Sequence, residues 1–330
     1  MTMTKTTPFR DSLSEPDILF DVIIIGAGIA GIRAGQLLQA AGLSVHVLDK
    51  GRRIGGRCAT RRSAGYLFNH GAQFFTAADG DFQSAVIDAK TKGAVASWDI
   101  GHHKPTYMGT PSMRDFATSL AGSLPVTQEV KIISLTAHNG IYRLEDEAGR
   151  SYQAKHVVVT APAPQAATLV KSAAPDLAKT AQSASYDPCW TVMLGLAQAP
   201  DVSHPILRDA TPIGWACLEQ ARGIDNQLPA LTIQADPKAS IALLDKSPEE
   251  VCTHLIAAYE EHTKVTLDIS HRSAHRWLYA RVAQPADNTA PHATKDAGIV
   301  LAGDWFGKAR LETAFLSGSR AAHSILQARG

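Results

Sequence analysis

The 330-residue chain has little of several features that mark whole classes of proteins. Its formal net charge is only +1, which argues against binding to nucleic acid or to an anionic membrane surface. Its four cysteines lie far apart with no C-x-x-C pair, which favours thiols in a reducing compartment. Its most apolar window, residues 18–32, is too short to span a bilayer. We therefore expect a cytoplasmic protein with no nucleic-acid or membrane partner.

The start of the chain and its lack of internal repetition argue against two further possibilities. Residues 1–17 are polar, contain Pro8 and Pro16 and have no apolar segment, so we expect a flexible extension rather than a signal peptide. Only one G-x-G-x-x-G pattern occurs, whereas a pyridine-nucleotide disulfide reductase carries a second nucleotide-binding unit and usually a redox cysteine pair.

That single pattern lies in a complete strand–helix–strand context. An apolar strand, Val22–Ile25, leads directly into the glycines, and a second strand over Ser44–Leu48 ends on Asp49. Glycines at this spacing allow a tight turn, close approach of backbone N–H groups to a pyrophosphate, and close helix–strand packing. The acid about twenty residues later is placed to bind a ribose hydroxyl. The pattern glycines are Gly26, Gly28 and Gly31.

Two further turns favour FAD over NAD as the dinucleotide. Gly55-Gly56-Arg57 follows the second strand, and the arginines around it (Arg52, Arg53, Arg61 and Arg62) are better explained by cofactor phosphates than by DNA. Near the other end of the chain, the apolar run before Gly303 and Asp304 repeats the pattern of a strand that ends on Gly-Asp. Either turn alone could be an ordinary loop. Together with the first site they indicate FAD.

The order of predicted elements indicates an α/β fold with two domains. We expect an FAD-binding Rossmann-type domain of the glutathione-reductase or amine-oxidase kind from residues 18–90, 110–170 and 290–330. An inserted α+β substrate domain takes residues 91–109 and 171–289. Val126–Leu135 is predicted as one strand, and Met113–Ala121 and Pro248–Thr263 as helices.

Motifs spread from Asp21 to Ala322 resemble a known family. They read GAGIAG, GGRCATRRS, HGAQFFTA, TAPAPQAATL, DPCWTVMLGL, HRWLYAR and AGDWFGKARLETAFLSGSRAA. In these segments the chain resembles the bacterial renalase-like flavoproteins of the amine-oxidase superfamily. The resemblance implies oxidation of the 2- or 6-dihydro isomers of NAD(P) by hydride transfer to flavin N5. It also implies reoxidation of the flavin by O2, with release of hydrogen peroxide.

The resemblance also implies roles for individual residues. The pattern glycines would bind the pyrophosphate, Asp49 the adenosine ribose, Val130 the adenine through its backbone, and Asp304 the ribityl end. A helix starting near Thr313 or Ala314 would point its positive end at the flavin, although Thr313 stands where many relatives carry glycine. The full predicted cofactor set is Gly26, Gly28, Ala30, Gly31, Asp49, Lys50, Gly56, Arg57, Gln73, Phe74, Val130, Gly303, Asp304, Thr313 and Ala314. We expect noncovalent FAD, although Cys58 beside the turn makes covalent attachment conceivable.

No catalytic acid or base is required, because the dihydronicotinamide gains aromaticity as it loses hydride. The candidates nearest the chemistry are His70, Gln73, Phe74 and Arg310. Amine oxidases commonly have a tyrosine where this chain has Arg310, and a cation there suits a phosphate-bearing nucleotide better than an amine. The other hypotheses are an oxidase or desaturase of amines or other small metabolites, and a flavin-binding protein without turnover.

Several residues late in the chain have two interpretations each. His271 and His275 could suggest a zinc pair, but no third ligand accompanies them, so we expect no metal. Trp277 and Tyr279 alternate along a predicted strand, where they either pack in the core or line the substrate pocket.

Overall fold

The computed structural model of the protein describes residues 18–224, 228–287 and 289–330, so the predicted extension over residues 1–17 lies outside this part. The strands within it are β1 Leu19–Ile25, β2 Val45–Leu48, β3 Thr60–Ser63, β4 Tyr66–Asn69, β5 Val95–Ser97, β6 Tyr107–Gly109, β7 Val126–Thr127, β8 Ile132–His138, β9 Ile141–Asp146, β10 Ser151–Val159, β11 Ser185–Leu196, β12 Ile206–Ala210, β13 Ile213–Leu218, β14 Ala230–Ala235, β15 Ile269–Gln284 and β16 Ile299–Leu301. The helices are α1 Ile29–Ala40, α2 Gly80–Thr91, α3 Met113–Ala121, α4 Ala163–Val170, α5 Pro175–Gln182, α6 Pro237–Ala242, α7 Pro248–Thr263 and α8 Leu311–Arg329.

A seven-stranded sheet forms the centre of the molecule. Its strand order is β7-β2-β1-β10-β9-β8, and β16 pairs with the carboxyl-terminal part of β10. β1 runs parallel to both β2 and β10, with Val22 opposite Val45 and Ile25 opposite Val159. Within β1 and β10, residues Val22–Ile25 and Val157–Val159 are continuous runs of β-branched residues, as expected for parallel strands that are covered on both faces. The sheet confirms the predicted α/β fold.

Helices cover both faces of this sheet. α1 and α8 pack on one face, where Ala34, Leu38 and Ile325 are fully buried. A Cβ at Gly318 of α8 would lie 2.2 Å from the carbonyl oxygen of Ala30, so only glycine allows the two helices to approach this closely. α4 and α5 pack on the other face through a separate apolar cluster.

The single strand predicted over Val126–Leu135 is wrong. The chain forms β7, which is parallel to β2, and then β8, which is antiparallel to β9. Between them Glu129 has a φ of 59° and the N–H of Val130 donates to the carbonyl of Asp49 at 2.9 Å. Apolar β-branched residues on both sides concealed this break, because periodicity does not report a change of pairing partner.

A second, five-stranded sheet has the antiparallel order β12-β13-β14-β11-β15. One face is apolar and packs on α7 through Val251, Leu255 and Tyr259. The other face, here called the polar face, carries Thr232 and Gln234 on β14 and His271, Ser273, His275 and Trp277 on β15. The β3–β4 hairpin packs against this face, where a Cβ at Gly195 would meet the ring of Tyr66 at 2.3 Å.

The predicted division of the chain into an FAD-binding domain and a substrate domain stays a prediction. β11 to β15 all lie within the predicted substrate segment 171–289, as does α5, which packs with α4 on the seven-stranded sheet. Within the described ranges, no helix is long and apolar enough to cross a membrane.

Candidate active site

Four loops that are distant in sequence meet at the carboxyl edge of the parallel strands. The loop after β2 joins the loop after β1, where the N–H of Gly55 donates to the carbonyl of Ala27 at 2.8 Å. Thr160, which follows β10, donates its hydroxyl to the carbonyl of Ile25 at 2.9 Å. The loop after β16 joins them through Asp304. Since ligands of open α/β sheets bind at this edge, the sequence motifs are brought together where a dinucleotide would bind.

The glycine loop has the geometry of a phosphate cradle. Gly26 has a φ of +108°, and a Cβ at Gly31 would lie 2.0 Å from the carbonyl oxygen of Gly26. A Cβ at Gly28, in contrast, would meet nothing within 4 Å, while one at Gly56 would lie 3.3 Å from the Cα of Gly28. α1 begins here with no acidic residue in its first turn. The Gly28 backbone faces an open space at a helix N-terminus and is approached closely by Gly56, an arrangement that fits a pyrophosphate.

The first turns of α1 and α8 both leave backbone N–H groups without helical partners. In α1 these include the N–H groups of Ala30 and Gly31, since the first helical bond runs from Ile32 to Gly28 at 2.9 Å. α8 begins at Leu311, so the N–H of Thr313 is in the first turn, whereas the N–H of Ala314 donates to the carbonyl of Arg310 at 3.2 Å. Thr313 therefore fits a cofactor contact through its N–H better than Ala314 does.

Asp49 and Lys50 lie at the end of β2 and partly serve the protein itself. The Asp49 carboxylate accepts from the N–H of Ala27 and the N–H of Gly51, both at 2.6 Å. A carboxylate offers about four acceptor sites, so this arrangement leaves acceptor capacity for a ribose hydroxyl. The Lys50 ammonium donates to Gln165 at 2.8 Å. The N–H of Val130 donates to the carbonyl of Asp49, so the carbonyl of Val130 is the group left for the predicted adenine contact.

Arg57 and Asp304, both predicted to contact the cofactor, form an ion pair with each other. The guanidinium and the carboxylate are 2.6 Å apart, and the Asp304 side chain is only 6% exposed. Arg57 also donates to the carbonyl of Ala280 at 3.2 Å, which ties β15 to the cofactor edge. Burial disfavours the charged guanidinium, but the adjacent carboxylate more than offsets this and raises the pKa of Arg57. The N–H of Gly303 donates to Ser317 at 3.0 Å.

The side chain of Gln73 is occupied by protein contacts. Its amide nitrogen donates to the carbonyls of Asn69 and Gly71, and its amide oxygen accepts from Arg222 at 2.6 Å. Phe74 packs against Trp215 with ring centroids 5.4 Å apart. The side chain of Gln73 therefore positions the loop. The groups left to approach a flavin are the backbone of Gln73 and the side chain of Phe74.

Sequence reasoning missed the buried ion pair behind this loop. Glu219 and Arg222 form a pair of 2.7 Å with side chains 0% and 1% exposed. Arg222 also donates to the carbonyl of Gln73 at 2.9 Å and lies over the ring of Trp98, 4.5 Å from its centroid. Neither residue belongs to a recognisable motif. The sequence offers only the i, i+3 spacing of opposite charges, which is far too common to indicate a buried pair.

A cluster of aromatic and imidazole rings occupies the polar face beside this loop. His70 stacks on Trp277 at 5.4 Å and meets the edge of His275 at 5.3 Å, and the Trp277 N–H donates to the His70 carbonyl at 2.9 Å. Burial, reinforced by the neighbouring His275 and by the positive charges of Arg61 and Arg114, lowers the pKa of His70 to about 3. Burial also lowers the pKa of His275. Both imidazoles are neutral at physiological pH.

The remaining candidates lie outside this cluster. Arg310 is exposed and caps α8 without a side-chain hydrogen bond. Cys58 is buried, and burial raises the pKa of its thiol to about 12. His271 and His275 lie on a strand, and the described residues contain no group of three or more His, Cys, Asp and Glu side chains that could hold a metal.

Comparison with known families agrees with this architecture. Residues 24–87 match the model of the NAD(P)-binding Rossmann-like domain. Residues 96–326 match the model described as flavin containing amine oxidoreductase, which covers most of the chain.

Individual relatives match shorter segments. The chain is 30% identical over 154 residues to the "Putative flavin-containing monoamine oxidase AofH" of Mycobacterium tuberculosis, covering 46% of this chain and 30% of that protein. It is 40% identical over 63 residues to putrescine oxidase of Kocuria rosea, covering 19% of this chain and 13% of that protein. The chain thus spans less than a third of the length of these relatives.

A solved structure matches over nearly the whole chain. The "Putative protoporphyrinogen oxidase" of Exiguobacterium sp. 255-15 superposes with a TM-score of 0.68 at 14% identity, covering 92% of this chain and 98% of that one. At this identity the likeness establishes that the two chains share a fold.

Proposed function

The chain belongs to the flavin containing amine oxidoreductase family, and we propose that within it the protein oxidises dihydronicotinamide nucleotides. The substrates are the 2- or 6-dihydro isomers of NAD(P), as in the renalase-like branch whose motifs the chain resembles. Noncovalently held FAD would supply the acceptor for the substrate hydride, with O2 as the final electron acceptor and hydrogen peroxide as the product.

The observation that carries the proposal is the charge of the candidate site. The carboxylates that join the five-stranded sheet to the cofactor loops, Glu219 and Asp304, are each paired with an arginine. Arg61 adds positive charge beside His70 and His275. Glu219 and Asp304 therefore offer no free carboxylate to an ammonium substrate, whereas the positive charge of Arg61 would attract a phosphate-bearing one.

The residues of the chain would bind and orient rather than transfer protons. The N–H groups of α1 and Gly28 would hold the pyrophosphate, and the Arg57–Asp304 pair would meet the ribityl end. The N-terminus of α8 would stabilise negative charge on the reduced ring. The buried Cys58 thiol, with its raised pKa, is a poor nucleophile, which supports noncovalent binding.

The rings of the polar face would hold the nicotinamide. Trp277 and the neutral His70 offer flat surfaces for stacking. His70 is buried and Trp277 is half-buried, which would limit the access of water to the reacting atoms. The four free cysteines support a reducing, cytoplasmic location as part of this proposal.

Oxidation of amines is the second candidate, and the family match favours it. The M. tuberculosis and K. rosea relatives carry the names of amine oxidases. The exposed Arg310, at the position where amine oxidases commonly have a tyrosine, weighs against it.

Anaerobic mixing of the flavin-loaded protein with possible donors tests both candidates. The donors are 2- and 6-dihydro-NAD(P), ordinary 4-dihydro-NADH and a panel of primary amines, and the signal is loss of the oxidised-flavin absorbance band. We expect rapid bleaching by the 2- and 6-isomers alone. Bleaching by amines alone would establish the second candidate, and no bleaching by any donor would indicate a flavin-binding protein without turnover.

A further inference from the structure

Arg61 is a half-buried cation with no partner. Within the described ranges it forms no hydrogen bond and no ion pair, although the neighbouring Arg57 is paired with Asp304. Partial burial lowers the pKa of its guanidinium, and the nearby positive charge of Arg52 adds to this effect. Partly buried arginines usually have carboxylate or carbonyl partners, because the five N–H donors lose water on burial.

The strand pairing directs this cation toward the polar face. Arg61 lies opposite Phe68 in the β3–β4 hairpin, so both side chains are on one face of it. Phe68 stacks on His271 with ring centroids 6.1 Å apart. The charge of Arg61 also acts on His70 and His275. Arg61 therefore lies between the hairpin and β15.

Three buried polar atoms in the same region have no hydrogen-bond partner in the part of the chain that the structure describes. They are Nδ1 of His70, Nε2 of His271 and the hydroxyl of Ser273. His271, Ser273 and His275 alternate along one face of β15, so Ser273 lies about 7 Å from each of the two histidines. Burying a polar group without a partner is costly, and clustered instances indicate a ligand or ordered water.

We propose that Arg61, together with His271 and Ser273, forms a subsite that binds a phosphate group of the substrate. A guanidinium supplies two parallel donors to a phosphate, and an imidazole N–H and a hydroxyl complete a set of donors for its oxygens. The stacked rings of His70 and Trp277 lie next to it. The inference rests on the proposed nucleotide substrate, whose nicotinamide would lie on those rings while its phosphate reaches Arg61.

Binding to the flavin-loaded protein tests the subsite without turnover. The ligands are nicotinamide mononucleotide, nicotinamide riboside, which has no phosphate, and inorganic pyrophosphate, each titrated by calorimetry. We expect the mononucleotide to bind about tenfold or more tightly than the riboside. Arg61→Gln should remove that advantage and leave riboside binding unchanged, and Ser273→Ala should weaken it by a smaller factor.

Arg62→Gln is the matched control. Arg62 follows in the same strand, is exposed and projects from the opposite face of the hairpin beside Leu67. It should keep the mononucleotide advantage. Arg61→Gln removes an unpaired charge, so its unfolding midpoint should be unchanged or higher.

Two outcomes would overturn the subsite. One is equal binding of mononucleotide and riboside by the unmutated protein. The other is loss of flavin from Arg61→Gln with unchanged mononucleotide binding, which would place Arg61 on the cofactor phosphates. If neither nicotinamide ligand binds but pyrophosphate binds in an Arg61-dependent manner, the subsite stands and the proposed nucleotide substrate falls.

Discussion

Removal of the Arg222 guanidinium should destabilise the protein strongly, because it leaves a buried carboxylate without its counter-ion. The Glu219 side chain is 0% exposed. It accepts from the N–H and the side-chain amide of Asn69 at 3.0 and 2.9 Å, and from the Thr232 hydroxyl at 2.7 Å. Its fourth donor is the Nε of Arg222 at 2.7 Å. Three neutral donors would remain, which do not neutralise a buried negative charge.

We expect Arg222→Met to lower the free energy of unfolding by about 3–5 kcal/mol, the usual effect of removing one partner of a buried pair. The two hydrogen bonds from Arg222 to Gln73 are lost in the same change. The loop that carries Phe74 should therefore loosen, and flavin affinity should fall together with stability.

Urea unfolding at neutral pH, followed by tryptophan fluorescence and circular dichroism, gives the measurement. Lys131→Met is the control, since it breaks an exposed ion pair with Glu147 and should leave the midpoint unchanged. The double variant Glu219→Gln, Arg222→Met removes both charges and should recover a large part of the loss. A loss below about 1 kcal/mol for Arg222→Met, or a double variant that is less stable than either single variant, would refute the reasoning.

Three further predictions follow from the cofactor edge and the polar face. Gly28→Ala should leave the unfolding midpoint of the flavin-free protein unchanged and weaken FAD binding at least about tenfold, whereas Gly31→Ala, whose Cβ would overlap the Gly26 carbonyl, should destabilise the fold itself. His70 has a folded pKa of about 3, below its unfolded value, so the unfolded chain binds more protons between these values and stability is lost as pH falls below about 6.5. Between pH 7.5 and 5.5, the free energy of unfolding measured in urea should therefore fall by about 1 kcal/mol less in His70→Gln than in the unmutated protein. Acid precipitation should release all flavin into the supernatant if the buried Cys58 thiol forms no bond to it, and flavin that stays with the pellet would contradict noncovalent binding.

The elements that were predicted from sequence are those with strong local signals. α3 and α7 have the predicted bounds, and β1, the glycine loop and β2 follow the predicted order. Ser247 forms a capping box with Glu250 at the start of α7, which is why that boundary is sharp. The break between β7 and β8 was missed, because it depends on which neighbour each half of the segment pairs with.

The candidate site was predicted only in part. The sequence by itself determined which residues form the glycine loop that we propose binds the pyrophosphate, since turn geometry and close approach depend on the local presence of glycine. Only the tertiary structure decided that Arg57 pairs with Asp304, that Arg222 holds Gln73, and that the Arg61 side chain faces the polar face without a partner among the described residues. The first two contacts join residues about 250 and 150 positions apart. The placement of Arg61 depends on strand register, because a shift of one residue would turn its side chain to the opposite face.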